Sequence, residues 1–312
     1  MIRKFYQVKK PLVFLLLFTA FYSYSAPIQT VKAPFMWHIK TAKANLYLAG
    51  SIHALNKDYY PFSPAYINAF DTSDQLVVEI NTSNLDPITS RHYIKSLTWL
   101  EQGRTLSNKL SQQDIHKLIP FAKRTGMPIQ TLLTLRPWVL LEMITQYQIA
   151  QTNFQAALGV DQFFIQRAQD KNKKSLELES LAEQINAING AEESAQIAAI
   201  SLALSQLNQG QTQLTQLANF WQAGNERELY LYRQNDIAEQ PQIAPLMEQL
   251  LDKRNKTMAA KIATYLEAGG RYFVMVGALH LSGPNSVQNE LNKRGYKLVK
   301  VTAYPKDLSE ND

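Results

Sequence analysis

Two segments at opposite ends of the chain stop in the same way, and together they limit what the chain can fold into. Residues 46–53 read LYLAGSIH and residues 272–280 read YFVMVGALH. Each is an apolar run that ends on a glycine, two small or apolar residues and a histidine. An apolar run of this length bounded by glycine reads as a buried strand. Glycine at a strand exit permits a positive φ or a close backbone approach, and either can turn the histidine back over the sheet edge. If the two strands are neighbours, the first and last quarters of the chain meet in one sheet and everything between them must leave it and return.

The intervening sequence suits that plan. PFMWHIK (34–40) and NLYLAG (45–50) flank the polar TAKA and predict a β-hairpin, QLVVEI (75–80) predicts a short buried strand, and KSLELE (174–179) alternates like another. Residues 87–157 carry apolar positions at helical spacing, broken near Gly103 and at GMP (126–128), and the helical reading continues through GVDQFFIQRAQDK (159–171). From about 181 to 265 the chain is rich in Gln, Ala, Leu and Glu at helical spacing. Breaks fall at Gly190, NQGQ, AGN and QPQIAP. A helix from about 285 to 293 and the strand YKLVKV (296–301) close the chain. The expectation is an α/β (α+β) fold. Its mixed sheet is built from N- and C-terminal segments and flanked by helices, with a large central helical insertion over about 181–265 in a single domain spanning 26–312.

Ligands gather at the carboxyl ends of parallel strands. Parallel pairing would bring His53, Glu79 and His280 there together. Glu79 follows Leu76-Val77-Val78 and precedes Ile80, and a carboxylate in so apolar a strand is costly unless paired, hydrogen-bonded or bound to a metal. Two imidazoles and a carboxylate make a divalent-cation set with open positions. The competing reading is a satisfied turn histidine at each place and a salt-bridged glutamate. With no cysteine in the chain, ligands are restricted to His, Asp and Glu, and disulfides are excluded. Manganese, cobalt and zinc all suit nitrogen and oxygen donors. His38, His92 and His116 lie in mixed-polarity segments that call for no special role. Arg254 and Asn255 open a helical pattern, where an arginine can clamp a carboxylate or polarise a carbonyl and an asparagine can orient a ligand.

Charge points to a compartment. Residues 1–10 carry Arg3, Lys4, Lys9 and Lys10 and no acidic residue, and residues 12–24 form an uncharged apolar run with small residues at its end, Ser23 within it and Ser25 just after. This pattern predicts a signal peptide over 1–25 with cleavage after Ser25, since the run is shorter than the ~20 residues of a membrane span. The chain is therefore expected to be exported, periplasmic or secreted, with no stable membrane span after cleavage. Without those four residues its 32 basic side chains become 28 against 26 acidic ones, a net charge of +2. No basic stripe remains, which argues against nucleic acid as a partner.

The ordered motifs resemble the TraB/GumN/PrgY family, whose animal relatives include the TIKI proteins. The likeness covers residues 34–302 and rests on LYLAGSIHAL, AFDTSDQLVVEI, LRPW (135–138), LGVDQFFIQRA (158–168), LESLAEQ (178–184), RNKTMAAKI (254–262) and VMVGALHLSGPNSV (274–287). The resemblance implies a metal-dependent, peptide-cleaving hydrolase acting on a peptide or protein substrate. It also implies a fold like that of the erythromycin-esterase-like and haem-binding ChaN-like proteins. The family's two G-x-x-H motifs and glutamate fall on His53, His280 and Glu79, and its arginine–asparagine pair on Arg254 and Asn255. Asp161, Glu179 and Gln184 occupy further motif positions. Ser51 stands where threonine is common, and Ala49 replaces a larger apolar residue. Two other readings stay open. One is a non-catalytic protein of the same fold holding haem, iron or a peptide; the other is a hydrolase using His53 and Glu79 without a cation.

Overall fold

The structure is a computed structural model that describes residues 34–302, so the expected signal peptide lies outside the described residues. The predicted hairpin forms from β1 (Met36–Lys40) and β2 (Ala44–Ser51), antiparallel, with Met36 opposite Ala49. β3 (Gln75–Val78), β4 (Lys174–Glu177), β5 (Gly270–Gly277) and β6 (Leu298–Lys300) complete a six-stranded mixed sheet in the order β4-β3-β5-β2-β1-β6. Four neighbours, β4, β3, β5 and β2, run parallel. The late strand β5 thus inserts between two early ones, as the matching strand ends suggested. Its run Tyr272–Val276 is buried throughout, as a central parallel strand covered on both faces requires.

Helices α1 (Pro64–Asp71), α2 (Pro87–Ser96), α3 (Gln112–Thr125), α4 (Ile129–Leu132), α5 (Pro137–Ala150) and α6 (Val160–Asp170) precede or flank β4. After it come α7 (Leu181–Asn189), α8 (Glu193–Ser205), α9 (Gly210–Gln222), α10 (Glu226–Glu239), α11 (Ala244–Met247), α12 (Arg254–Ala268) and α13 (Val287–Lys293). The breaks read from Gly190, NQGQ and AGN separate α7 from α8, α8 from α9 and α9 from α10. α1 begins with a Ser63 cap and a proline in its first turn. It packs Phe70 against Phe273 of β5, and Phe164 of α6 lies 5.0 Å from the same ring, centroid to centroid.

A second apolar core lies away from the sheet. It unites Leu118 and Phe121 of α3, Trp138 and Ile144 of α5, Ala199 and Leu202 of α8, and Leu246 of α11. The helical body is therefore larger than residues 181–265 alone. The apolar stripes of α3 and α5 have no strand to cover, and they are buried against the later helices instead. Between α11 and α12, residues Glu248–Lys253 form a π-helical turn that runs without interruption into Arg254. Such wider turns recur at functional sites because they re-aim the side chains that follow.

Candidate functional site

Each of the four parallel strands delivers one polar residue just beyond its carboxyl end. In spatial order these are Glu179 after β4, Glu79 after β3, His280 after β5 and His53 after β2. His53, Glu79 and His280 are brought together as the sequence suggested. His280 Nε2 lies 3.7 Å from Glu79 Oε1. A Cβ built on Gly277 would sit 3.1 Å from His53 Nε2, 3.3 Å from Glu79 Oε1 and 3.6 Å from His280 Cδ2. Gly277 therefore leaves open a cradle that any side chain would fill. Its φ is −53°, so close approach and not left-handed backbone is what requires the glycine.

The far side of each imidazole is held by a different partner. His53 Nδ1 lies 3.3 Å from Asp161 Oδ1, an atom with no other polar partner. Asp161 reaches it because α6 starts against the strand exit: Val160 N–H donates to the Ile52 carbonyl, and a Cβ on Gly159 would meet the His53 carbonyl at 2.4 Å. His280 Nδ1 is 2.6 Å from Asn255 Oδ1, and the Asn255 amide nitrogen donates to the Asn285 carbonyl, which fixes the amide's orientation. With both Nδ1 atoms engaged, His280 Nε2 faces Glu79 and His53 Nε2 faces the cradle at Gly277.

Arg254 joins the two carboxylates. It donates to Glu79 Oε2 at 2.7 Å and to both oxygens of Glu179, while its Nη1 donates to the Leu250 carbonyl across the π turn. The carboxylates that Arg254 clamps are thus the protein's own. Gln184 donates to Glu179 Oε1 at 3.2 Å. Asp161, Glu179 and Gln184 accordingly form a supporting ring, with Asn255 in the same position relative to His280.

Electrostatics separate the groups. Burial alone would raise the Glu79 pKa, but His280, Arg254, His53 and the Gly277 N–H, which donates to Oε1, together hold it down at about 2. Burial raises Glu179, and its neighbour Glu79 adds to the rise against the pull of Arg254. For His53, burial favours the neutral ring, yet Asp161 and then Glu79 outweigh it and lift the pKa to about 9. His280 faces no such partner on its Nδ1 side. Burial drives it to about 3 against the pull of Glu79.

Once a cation displaces the His53 proton, two imidazole nitrogens and an ionised carboxylate around an open cradle would be the donor chemistry of a divalent-cation site. Among the described residues, however, no three His, Asp or Glu groups stand close enough together to hold a metal ion as they are placed. A cation placed here would need the imidazoles and Glu79 to move closer together.

A cavity of about 130 Å³ adjoins these residues, between the sheet edge and α7, α9, α10 and the turn before α12. Arg233 and Asp236 of α10 line it and were not singled out from the sequence. Leu229, Tyr232, Arg233 and Asp236 are the buried residues of α10 and follow i, i+3, i+4, i+7 spacing. Two charged residues on that buried stripe are the signal that could have found them.

Comparison with known proteins agrees with the motifs. An "Uncharacterized protein YbaP" of Escherichia coli (strain K12) is 22% identical over 247 residues, covering 79% of this chain and 88% of that protein. A YbaP protein of Shigella flexneri is 22% identical over 245 residues, covering 78% and 87%. An "Uncharacterized protein" of Treponema pallidum (strain Nichols) is 23% identical over 161 residues, 51% of this chain and 47% of its own length. No solved structure matches the chain significantly. The family model for TraB/PrgY/gumN matches residues 35–300, the whole sheet and helical body, and the chain belongs to the TraB/PrgY/gumN family.

Proposed function

We propose that the protein is an exported metal-dependent hydrolase that cleaves peptides, with His53, Glu79 and His280 as cation ligands. The observation that carries the reading is the cradle at Gly277, onto which both histidines and Glu79 converge. A divalent cation (manganese, cobalt or zinc) held there supplies Lewis acidity toward a scissile carbonyl and an attacking water. The protein's own groups prepare that chemistry. Asp161 and Asn255 fix the rings through Nδ1 and so turn both Nε2 atoms toward the cradle, where a cation takes the place of the His53 proton. Glu79, held ionised, is suited to hold positive charge and poorly suited to accept a proton near neutral pH. Arg254 keeps Glu79 and Glu179 side by side, neutralising a carboxylate pair that would otherwise repel.

The adjoining recess favours a peptide over a haem. At about 130 Å³ it is well below the ~300–1,000 Å³ of pockets that enclose a drug-sized ligand, and it suits a single side chain. Among the described residues no helix is long and apolar enough to cross a membrane.

The test is elemental analysis of the purified protein, followed by cleavage of a peptide library with added Mn²⁺, Co²⁺ or Zn²⁺. His53→Ala and His280→Ala each lose bound cation and cleavage while keeping the wild-type circular dichroism spectrum. Full cleavage by the double variant, or after exhaustive chelation, sinks the metal-dependent reading.

A further inference from the structure

The recess beside the site has two kinds of wall. One end is polar and belongs to His53, Glu79 and His280. The other is formed by Leu214 and Leu217 of α9, Leu229 of α10, and Met247, Leu250 and Leu251 of the α11–π segment. All six are at least nine-tenths buried, so this is a preformed apolar chamber and not a solvent-facing patch. Into the same chamber α10 brings two polar side chains. Asp236 is 2% exposed, and its Oδ1 has no hydrogen-bond partner. Arg233 is anchored through Nη1 to Asp252 Oδ1 at 3.0 Å, which leaves its buried Nε–H unpartnered. A buried donor or acceptor without a partner is costly, about 1–3 kcal/mol, and is explained when a ligand supplies the missing bond.

We infer that this chamber is the specificity pocket of the site: it receives a leucine-sized aliphatic side chain of a peptide, and Asp236 and Arg233 meet the main-chain amide beside that side chain. The inference rests on the peptidase reading. Size, lining and hydrogen-bonding capacity support it separately from the cradle. A dry apolar cavity of ~150 Å³ takes one benzene molecule, so a recess of about 130 Å³ in all has room for an isobutyl group at its apolar end and none for an indole. Asp236 Oδ1 accepts an amide N–H, and Arg233 Nε–H donates to a carbonyl. The two sit one helical turn apart on one face of α10. Burial, reinforced by Glu239, keeps the Asp236 carboxyl protonated up to about 9, so it meets a neutral amide without placing a bare charge in the chamber.

The experiment uses fluorogenic peptides that differ at one position, with Leu, Phe, Ala, Lys or Trp on either side of the scissile bond, and Mn²⁺ added. At one subsite leucine is expected to exceed alanine, lysine and tryptophan at least tenfold in kcat/KM. Leu214→Phe, which fills the chamber, removes that preference. If Leu214→Phe fails to fold, Leu217→Ala enlarges the chamber and shifts the preference toward phenylalanine. Asp236→Leu raises KM about tenfold with kcat unchanged, and Asp236→Asn, which keeps an acceptor, restores KM to within about threefold. Equal kcat/KM across the panel, or an unchanged preference in folded pocket variants, overturns the inference. So does wild-type KM in Asp236→Leu. If the wild type cleaves none of the peptides, their binding is read by fluorescence anisotropy. Leucine-selective binding lost in Leu214→Phe retains the pocket while the peptidase reading fails, and binding without such selectivity overturns the pocket.

Discussion

At the end of β2, the carbonyl of Gly50 is gripped by the buried Tyr66 hydroxyl and Trp221 indole, and a Cβ there would meet Phe35 Cδ1 at 2.4 Å. At the end of β5, the N–H of Gly277 is held by Glu79, and a Cβ there would meet the site. The parallel register explains why near-identical turns do different work. Gly50 pairs with Val276 and Ser51 with Gly277, so the two glycines are one residue out of step. Since strand side chains alternate between faces, the offset turns the two missing side chains to opposite sides of the sheet. The histidines differ as well. His53 faces a carboxylate on Nδ1 and carries a proton up to about 9, whereas His280 faces a neutral amide and loses its proton near 3. A shared G-x-x-H therefore places a histidine at a strand end, and the residue behind the ring sets its charge.

Alanine at the two glycines should break this pair apart. Gly277→Ala puts a methyl group 3.1 Å from His53 Nε2 and 3.3 Å from Glu79 Oε1. Displacing those groups is expected to cost ~10²-fold or more in cleavage, with little change in melting temperature. Gly50→Ala instead forces Phe35 from its place in the core. It should lower stability by about 1–3 kcal/mol in denaturant melts while the folded fraction keeps its activity. Equal activity losses in the two variants would mean that the turns are functionally equivalent.

A smaller effect comes from exchanging the partners behind the rings. Asp161→Asn gives His53 the kind of neutral partner that His280 has, and a loss of about 10- to 100-fold in cation affinity is expected by titration. The same variant tests the proton on His53 in chelator-treated protein. Because the folded-state pKa is raised from 6.5 to about 9, the folded chain binds more protons than the unfolded one between those values. Its contribution to stability is thus complete below about 6.5 and is lost as pH rises through about 9. Melting temperatures from pH 6 to 10 should show a fall in the wild type that Asp161→Asn flattens.

Much of this arrangement is legible in the sequence because it depends on local chemistry. Glycines at 190 and 224 and the polar breaks mark helix ends, and Glu79 in an apolar strand announces a partner. The parallel neighbours β2 and β5 follow from their matched strand exits. What is not legible depends on geometry between distant segments. The one-residue register offset cannot be read from two isolated strands. Arg254 looks like a free substrate clamp until β3 and β4 bring Glu79 and Glu179 to it. The apolar stripes of α3 and α5 show that these helices are buried but not against what, so the second core is not foreseen. Asp236 was within reach through its spacing on α10, since a charged residue on a buried stripe needs a reason.

The smallest effect should come from the change that makes the two turns most alike. Ser51→Ala converts Gly50-Ser51-Ile52-His53 into a closer copy of Gly277-Ala278-Leu279-His280. Ser51 is 2% exposed, lines the recess and has no hydrogen-bond partner for its hydroxyl. Removing an unpartnered buried hydroxyl forfeits no bond and relieves its desolvation, so stability should hold or rise by up to ~1 kcal/mol. Cation affinity should stay within about twofold, because neither imidazole partner is touched. If Ser51→Ala instead lowers cation affinity or cleavage tenfold, the hydroxyl is a working group of the site. The first turn would then contribute chemistry at Ser51 that the second, with Ala278 in the matching place, does not.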